Sequence, residues 1–420
     1  MKHYIATMEQ FQRGIAKSLS TAVLATAMFG TSMARADVIT DWNVKAGEII
    51  TQSGIGTPPA NRAMAIVHTA IYEAANAITK RYPGSGINLE APSGASIGAA
   101  VAAASRATLA KLLPAQQPAI ENAYQAALAE IADGAAKSAG IAVGENAATA
   151  VLAARADDGA AAPETYRPRT NVGVYVPTVT PAAPQWPQRR PWLMTSAAQF
   201  RPGPPPALTS ARWARDFDEI EAIGVKNGPR RSNEQTEIAR FWAATLPPIY
   251  HGVVRSVAAM PGREVTDNAR LFMAVTQAAD DALIAVFDAK YHYNFWRPVT
   301  AIRNGDLDGN DATERDATWT SFIEAPMHPE YPCAHCILAS SIGTVLQAAI
   351  GADATPLLTT TSSTAMGAAR SWTKIEDFVR EVADARVYGG VHFRNSTEVG
   401  VAMGKQVGAL AVAKYLGPTN

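Results

Sequence analysis

The chain of 420 residues is 48% hydrophobic, 18% charged and 7% aromatic, which is typical of a globular protein long enough to bury a sizeable core. This composition excludes intrinsic disorder and collagen-like structure. Because 37 basic residues balance 37 acidic ones, no overall positive field would attract a nucleic acid, and any anion site has to be local.

Residues 1–36 have the pattern of a secretory signal peptide. A basic stretch precedes a short apolar run over residues 22–29, and small residues follow. We predict cleavage before Asp37, a mature chain 37–420 and a periplasmic or secreted location. An uncleaved anchor is less favoured because the run is well short of the roughly 20 residues that a span needs, and the mature chain offers no such run, so we predict no membrane span there.

The mature chain is predicted to be all-α. Its alanine-rich segments place apolar residues at spacings of three and four, as Met64, Ile66 and Ala70 show, which is helical periodicity and not the alternation of a strand. Ser232, followed three residues later by Gln235, predicts a capped helix start. The predicted helices extend over about residues 60–80, 93–113, 116–133, 137–156, 208–224, 232–246, 265–290, 333–350, 373–388 and 396–416.

Residues 158–207, which we call the strap, contain many prolines and cannot form one helix. Because the strap also carries Tyr175, Trp186, Trp192 and Phe200, we predict an ordered segment that packs over the helical bundle. No internal repeat of fixed period is present, which argues against a solenoid.

The first segment with candidate binding residues begins at Lys290. Arg297 follows seven residues later, and on one helix the two cations would share a face two turns apart and could bind one oxyanion. The alternative is a pair of solvated surface cations beside an aromatic cluster.

The second candidate segment covers residues 328–336. Pro332 suits the first position of a helix. The free N–H groups of Cys333 and Ala334, together with the helix dipole, would then favour an anion. His335 would stand beside that anion as a general acid or base.

The two cysteines of the chain, Cys333 and Cys336, leave two alternatives open. A disulfide is favoured because an exported chain meets an oxidising compartment. A metal site that also uses His328 and His335 is less favoured, because adjacent His335 and Cys336 do not follow the usual zinc-ligand spacings.

The third candidate segment lies around Arg386. This arginine would close a helix that the glycine pair at 389–390 breaks, and the loop beyond would present His392 to the site. Asn395, followed three residues later by Glu398, predicts a capping box for the last helix.

Taken together, the three segments resemble a known signature. Lys-x6-Arg-Pro, Pro-x-x-His and Arg-x5-His, in this order, are similar to the motifs shared by vanadium-dependent haloperoxidases and bacterial class A acid phosphatases of the type 2 phosphatidic acid phosphatase superfamily. Phe295-Trp296-Arg297-Pro298 looks closer to the haloperoxidases. The resemblance implies a helical bundle of that type in which 37–420 is one catalytic domain and the oxyanion-site motifs lie within 288–400.

The resemblance also implies a role for each matching residue. His392 would bond to vanadium in a peroxidase or attack phosphorus in a phosphatase, and His335 would transfer a proton. His328 falls near the expected halide site. The residues implied to bind the oxygens of vanadate or phosphate are Lys290, Arg297, Arg386, Cys333 and Ala334.

Two positions depart from the family pattern. Cys333 replaces a serine, so a good hydroxyl donor becomes a weak and oxidisable one. Ser396 stands where the family usually has an aspartate, so His392 lacks a likely orienting carboxylate. Glu398 is a candidate substitute.

Our leading hypothesis is an enzyme of the vanadium haloperoxidase type that oxidises halide with hydrogen peroxide on bound vanadate, without haem or nucleotide. The alternative is an acid phosphatase that hydrolyses a phosphate ester through a phosphohistidine at His392. A third hypothesis is an oxyanion-binding protein whose catalysis has decayed through the changes at Cys333 and Ser396. The sequence leaves a homo-oligomer open.

Overall fold

The computed structural model of the protein describes residues 37–84 and 86–417, so the predicted signal segment 1–36 lies outside the described residues. The predicted all-α architecture is confirmed. One small antiparallel hairpin joins β1 (Leu358–Thr361) to β2 (Ala369–Trp372). The α-helices in the described part of the chain are α1 (Val38–Gln52), α2 (Thr57–Thr79), α3 (Ile97–Leu112), α4 (Gln117–Ala129), α5 (Ala135–Ala154), α6 (Ala211–Gly224), α7 (Asn233–Phe241), α8 (Pro248–Ala258), α9 (Val265–Tyr293), α10 (Pro298–Ile302), α11 (Ala334–Ile350), α12 (Ile375–Tyr388) and α13 (Arg394–Ala411).

Every predicted helix has a counterpart, but α1, α8, α10 and the hairpin were not predicted. The predicted helix over 232–246 is shorter than expected, because α7 ends at Phe241; the separate helix α8 begins beyond the predicted range, with Pro248 as its first residue. The start of α7 agrees with the prediction, since Ser232 and Gln235 form a capping box. In the part of the chain that the structure describes, no helix is both long enough and apolar enough to cross a membrane.

Helix α9 is the central element of the core. Its side chains are buried around the whole circumference, which is expected only for a helix enclosed by others. It packs against α2, α11 and α13. Because Lys290 lies in its last turn, the core that fixes α9 also fixes this cation.

Helices α11 and α13 approach each other closely through glycines of α13. A Cβ atom on Gly404 would lie 2.4 Å from the carbonyl oxygen of Ile337, and one on Gly400 would lie 2.7 Å from that of Cys333. Only glycine fits at such distances. The contact places the start of α11 beside the start of α13, where the N–H of Cys333 donates to the carbonyl oxygen of Ser396 at 3.1 Å.

The strap is ordered against α9, as predicted. Arg189 donates to Asp280 at 2.6 Å and 3.0 Å, and the indole N–H of Trp192 reaches the same carboxylate at 2.8 Å. The next residue of α9, Asp281, accepts from three consecutive backbone N–H groups of residues 192–194. Buried carboxylates of α9 therefore hold the strap in place, although it contains no α-helix and only a short 3-10 helix at Trp186–Gln188.

Candidate oxyanion site

Lys290 and Arg297 do not share one helix, in contrast to the prediction. Helix α9 ends where Asn294 adopts the left-handed conformation with φ of 50°, and Pro298 then starts α10 with Arg297 as its extended N-cap residue. A turn, and not helical periodicity, returns Arg297 towards Lys290.

Lys290 is fully buried. Its Nζ donates to the carbonyl oxygens of Pro329 and Glu330, each at 2.8 Å. Burial lowers the pKa of Lys290 well below its usual value, and the positive charge of Arg297 lowers it further. The ammonium group of Lys290 is therefore held by backbone carbonyl groups and lies near Arg297.

Arg297 connects the second and third candidate segments. Its Nε donates to the carbonyl oxygen of His328 and its Nη1 to that of Val391, both at 2.8 Å. The same Nη1 lies 3.3 Å from Nε2 of His392, and Nη2 lies 2.9 Å from Nδ1 of His328. Burial lowers the pKa of Arg297 to about 10, so this charge too lies in a desolvated environment.

Arg386 lies in the last turn of α12, as predicted, and is buried. Its Nη1 donates to the carbonyl oxygen of Trp242 at 2.7 Å. Its Nε is buried and has no hydrogen-bond partner among the described residues. Burial lowers the pKa of Arg386 to about 10. A buried donor without a partner is costly, so this nitrogen is suited to an anion.

The start of α11 differs by two positions from the prediction. The helix begins at Ala334, with Cys333 as N-cap and Pro332 before it. The predicted free N–H of Cys333 is wrong, because that group already donates to the carbonyl oxygen of Ser396. Ala334 lies in the first helical turn, where N–H groups have no partner within the helix, and it lines the cavity described below.

His335 lies next to the N-terminus of α11 and is almost fully buried. Its Nε2 is 3.2 Å from the carbonyl oxygen of Ala244. Since a carbonyl only accepts, Nε2 carries the proton in this contact and Nδ1 is left to accept one. Burial, followed by the charge of Arg386, holds the pKa of His335 well below its usual value.

Cys333 and Cys336 form a disulfide, which decides between the two alternatives left open by the sequence. Within the described residues, no group of three or more histidine, cysteine, aspartate or glutamate side chains is arranged to hold a metal ion. The side chain of Cys333 therefore offers the site no thiol, and its Sγ accepts from the N–H of Cys336 at 3.2 Å.

We expect the unfolded but unreduced protein to react with no thiol-alkylating reagent, because both cysteines are paired. Mass spectrometry should detect two labels only after reduction. The Cys336→Ser variant, which leaves one free thiol, should take up one label without reductant and serves as positive control. Quantitative double labelling of the unreduced wild-type chain would contradict the disulfide.

His392 lies in the loop that follows α12, as predicted. The loop leaves the helix through Gly390, whose φ is 74°. Nδ1 of His392 lies 2.8 Å from Oε1 of Glu330 and 3.4 Å from the hydroxyl of Ser396. Burial lowers the pKa of His392 well below its usual value, and Arg297 and Lys290 add to this effect.

Sequence reasoning missed Glu330, although it lies inside the second candidate segment. The available signal was a carboxylate two residues from His328, in a chain without the usual aspartate at position 396. Burial raises the pKa of Glu330 to about 7, while the charges of Lys290 and Arg297 oppose that rise.

The predicted roles of Glu398 are wrong. Its side chain is more than half exposed and pairs with Arg212, away from His392, so it does not replace the missing aspartate. Nor does it form a capping box with Asn395, because α13 begins at Arg394 and has no side-chain cap at Phe393.

A cavity of about 710 Å³ leads to the site. Apolar side chains such as Leu246, Leu283 and Phe287 line its walls. Lys290 and Arg297 are not among the lining residues. The predicted site residues that line the cavity are His328, Ala334, His335, Arg386 and His392.

The fold and the site define a helical protein with a buried cluster of cationic side chains and histidines. Three buried cations come from α9, the start of α10 and α12. Arg297 lies 3.3 Å from Nε2 of His392, and after burial the charges of all three cations lower the pKa of this histidine.

Comparison with known proteins identifies the relatives of this chain. Residues 270–419 match the family model described as the VCPO second helical-bundle domain. Vanadium chloroperoxidase of Curvularia inaequalis is 27% identical over 177 residues, which is 35% of this chain and 29% of that protein. The chain thus matches less than a third of the length of this curated relative. The resemblance to the vanadium-dependent haloperoxidases is confirmed.

Solved structures agree with the fold over most of the chain. A structure described as the first bacterial vanadium-dependent iodoperoxidase superposes with a TM-score of 0.78 at 23% identity, covering 91% of this chain and 98% of that one. A holo-type bacterial vanadium-dependent chloroperoxidase gives 0.67 at 19% identity, covering 86% and 93%.

Proposed function

We propose that the protein is a vanadate-dependent haloperoxidase that oxidises halide with hydrogen peroxide. The observation that supports this most strongly is that three buried cations, Lys290, Arg297 and Arg386, act on His392, which lines a large cavity. The similarity to vanadium chloroperoxidase and to two bacterial haloperoxidase structures supports the same conclusion.

The residues present fit a tetrahedral oxyanion such as vanadate. The unpartnered Nε of Arg386 and the first-turn N–H of Ala334 are donors that lack a protein acceptor or an intrahelical one. Burial, followed by the charge of Arg297, lowers the pKa of Lys290, and an anion would offset the repulsion between these two cations. In this proposal Cys333 contributes through the helix start and not through its own N–H.

Each site residue has a separate task in the proposed reaction. Bound vanadate would supply a Lewis acid that activates hydrogen peroxide towards halide. The three cations would hold its oxygens, and they are fixed in place because each already donates to a backbone carbonyl. His392 would hold the group through Nε2, and Nδ1 of His335 would accept or return a proton.

His328 and the cavity are proposed to admit the substrates. The ring of His328 is half-buried in the cavity wall, 2.9 Å from Arg297, where the positive charge would attract a halide. Peroxide and halide are small enough to reach His392 through this opening. Together with the predicted signal segment 1–36, the proposal places the enzyme in the periplasm or outside the cell.

We expect the purified mature protein, loaded with vanadate, to halogenate a phenolic dye in the presence of peroxide and iodide, bromide or chloride. His392→Ala should abolish this activity. His292→Ala removes an equivalent side chain from the last turn of α9 outside the site, and it should leave the rate unchanged.

Two outcomes would contradict the proposal. Absence of halogenation from acidic to neutral pH, combined with hydrolysis of an aryl phosphate that His392→Ala abolishes, would identify a phosphatase instead. Failure of both vanadate and phosphate to bind in equilibrium dialysis would exclude both enzymatic functions and leave a helical protein whose catalysis has decayed.

A further inference from the structure

We propose that Glu330 is the positioning residue of His392 and supplies the carboxylate that Ser396 cannot. The proposal concerns the site assigned above and so rests on the proposed function, but its central test uses the vanadate-free protein. Glu330 would set which nitrogen of His392 carries the proton and where the other nitrogen points.

The contacts of Glu330 fix it from both its backbone and its side chain. It is fully buried. Its backbone N–H donates to the carbonyl oxygen of Phe295 at 2.9 Å, and its own carbonyl oxygen accepts from Lys290 at 2.8 Å. Its Oε1 accepts from Nδ1 of His392 at 2.8 Å and from the backbone N–H of Phe393 at 3.0 Å. One residue therefore holds both the cation of the first segment and the histidine of the third.

The carboxylate determines the tautomer of His392 by simple donor and acceptor rules. Oε1 of Glu330 already accepts from the backbone N–H of Phe393, so it is the acceptor towards Nδ1 of His392 as well, and Nδ1 has to donate. In a neutral imidazole the lone pair is then on Nε2. That nitrogen lies 3.3 Å from Nη1 of Arg297, so the ring is oriented with its free lone pair among the cations.

The other candidate partners of Nδ1 cannot impose this tautomer. Ser396 places its hydroxyl 3.4 Å from Nδ1, and a hydroxyl can either donate or accept. Glu398 is engaged with Arg212 near the surface. Because Ser396 approaches the same nitrogen as Glu330, an aspartate at position 396 could take over the contact from another side.

The decisive experiment is ¹⁵N NMR of the vanadate-free protein with labelled histidine. The ring signals of His392 are assigned by their loss in His392→Ala. We expect Nδ1 to carry the proton in the wild type and the two tautomers to mix in Glu330→Gln, which keeps the size of the side chain but not its charge. The double variant Glu330→Gln with Ser396→Asp should restore the wild-type tautomer.

Vanadate binding provides a second readout. Loss of a residue that orients a ligand group typically weakens binding 10- to 100-fold, so we expect that change in equilibrium dialysis for Glu330→Gln and recovery of most of it in the double variant. Glu324→Gln changes an exposed glutamate of the same cavity and should have no effect on tautomer or affinity.

A proton on Nε2 of His392 in the wild-type protein would overturn the proposal even if no variant folds. So would an unchanged tautomer in folded Glu330→Gln, or a folded double variant that restores neither readout. If the protein shows no peroxidase activity but the tautomer follows Glu330 as expected, the proposed function fails and the positioning role stands.

Discussion

Replacement of Arg386 by methionine is expected to weaken vanadate binding by about 10²-fold without unfolding the protein. A hydrogen bond to a charged group contributes roughly 1.5–3 kcal/mol, and each 1.4 kcal/mol changes affinity tenfold. Methionine removes both the charge and the unpartnered Nε of Arg386. Burial lowers the pKa of this arginine to about 10, which means that its buried charge destabilises the folded state. Methionine removes this cost and loses one hydrogen bond, the one to the carbonyl oxygen of Trp242.

The measurements are vanadate affinity by equilibrium dialysis and the thermal midpoint with and without saturating vanadate. Arg386→Met should keep the midpoint of the vanadate-free protein and lose most of the increase that vanadate produces. Arg380→Met makes the same change at an exposed position of α12 and should behave like the wild type. Equal vanadate affinity of the two variants would exclude Arg386 from the site.

The second large effect concerns the strap. Asp280→Ala is expected to lower the free energy of unfolding by about 3–5 kcal/mol, because the fully buried guanidinium of Arg189 loses its bidentate partner. The carboxylate that remains to it, Asp158, is already shared with Arg62 and Arg155. It also removes the acceptor of the Trp192 indole N–H. Urea denaturation of the wild type and the variant measures the difference.

Asp288→Ala is the matched control for this prediction. Its partner Arg201 also joins the strap to α9, but about a third of that side chain is exposed. A partly solvated ion pair contributes roughly 1 kcal/mol or less. Equal losses of stability in Asp280→Ala and Asp288→Ala would show that burial of the Arg189 pair does not set its contribution.

Sequence reasoning located the site because its residues lie at positions with strong local signals. Arg386 precedes a glycine pair that ends a helix, and His392 follows within one short loop. Such features depend on neighbouring residues alone. The helical periodicity of α9 was predicted for the same reason.

The remaining errors concern contacts between distant segments. The sequence predicts Lys290 and Arg297 on one helix, because it does not indicate that Asn294 adopts the left-handed conformation that ends α9. The sequence also predicts a free N–H at Cys333, because its acceptor, the carbonyl oxygen of Ser396, is brought near only by the packing of α13 on α11. Glu330 was missed because it is 62 residues from His392 in the chain.

The close glycine contact between α11 and α13 has a consequence for altering this protein. His335 lies on α11, and the loop that carries His392 leads directly into α13. The spacing of the two histidines therefore depends on the close helix contact at Gly400 and Gly404. A side chain added at either glycine would push the two helices apart and change the distance between the two histidines. Variants meant to admit bulkier substrates should therefore change cavity-lining residues outside these two helices, such as Leu246, and leave Gly400 and Gly404 unchanged.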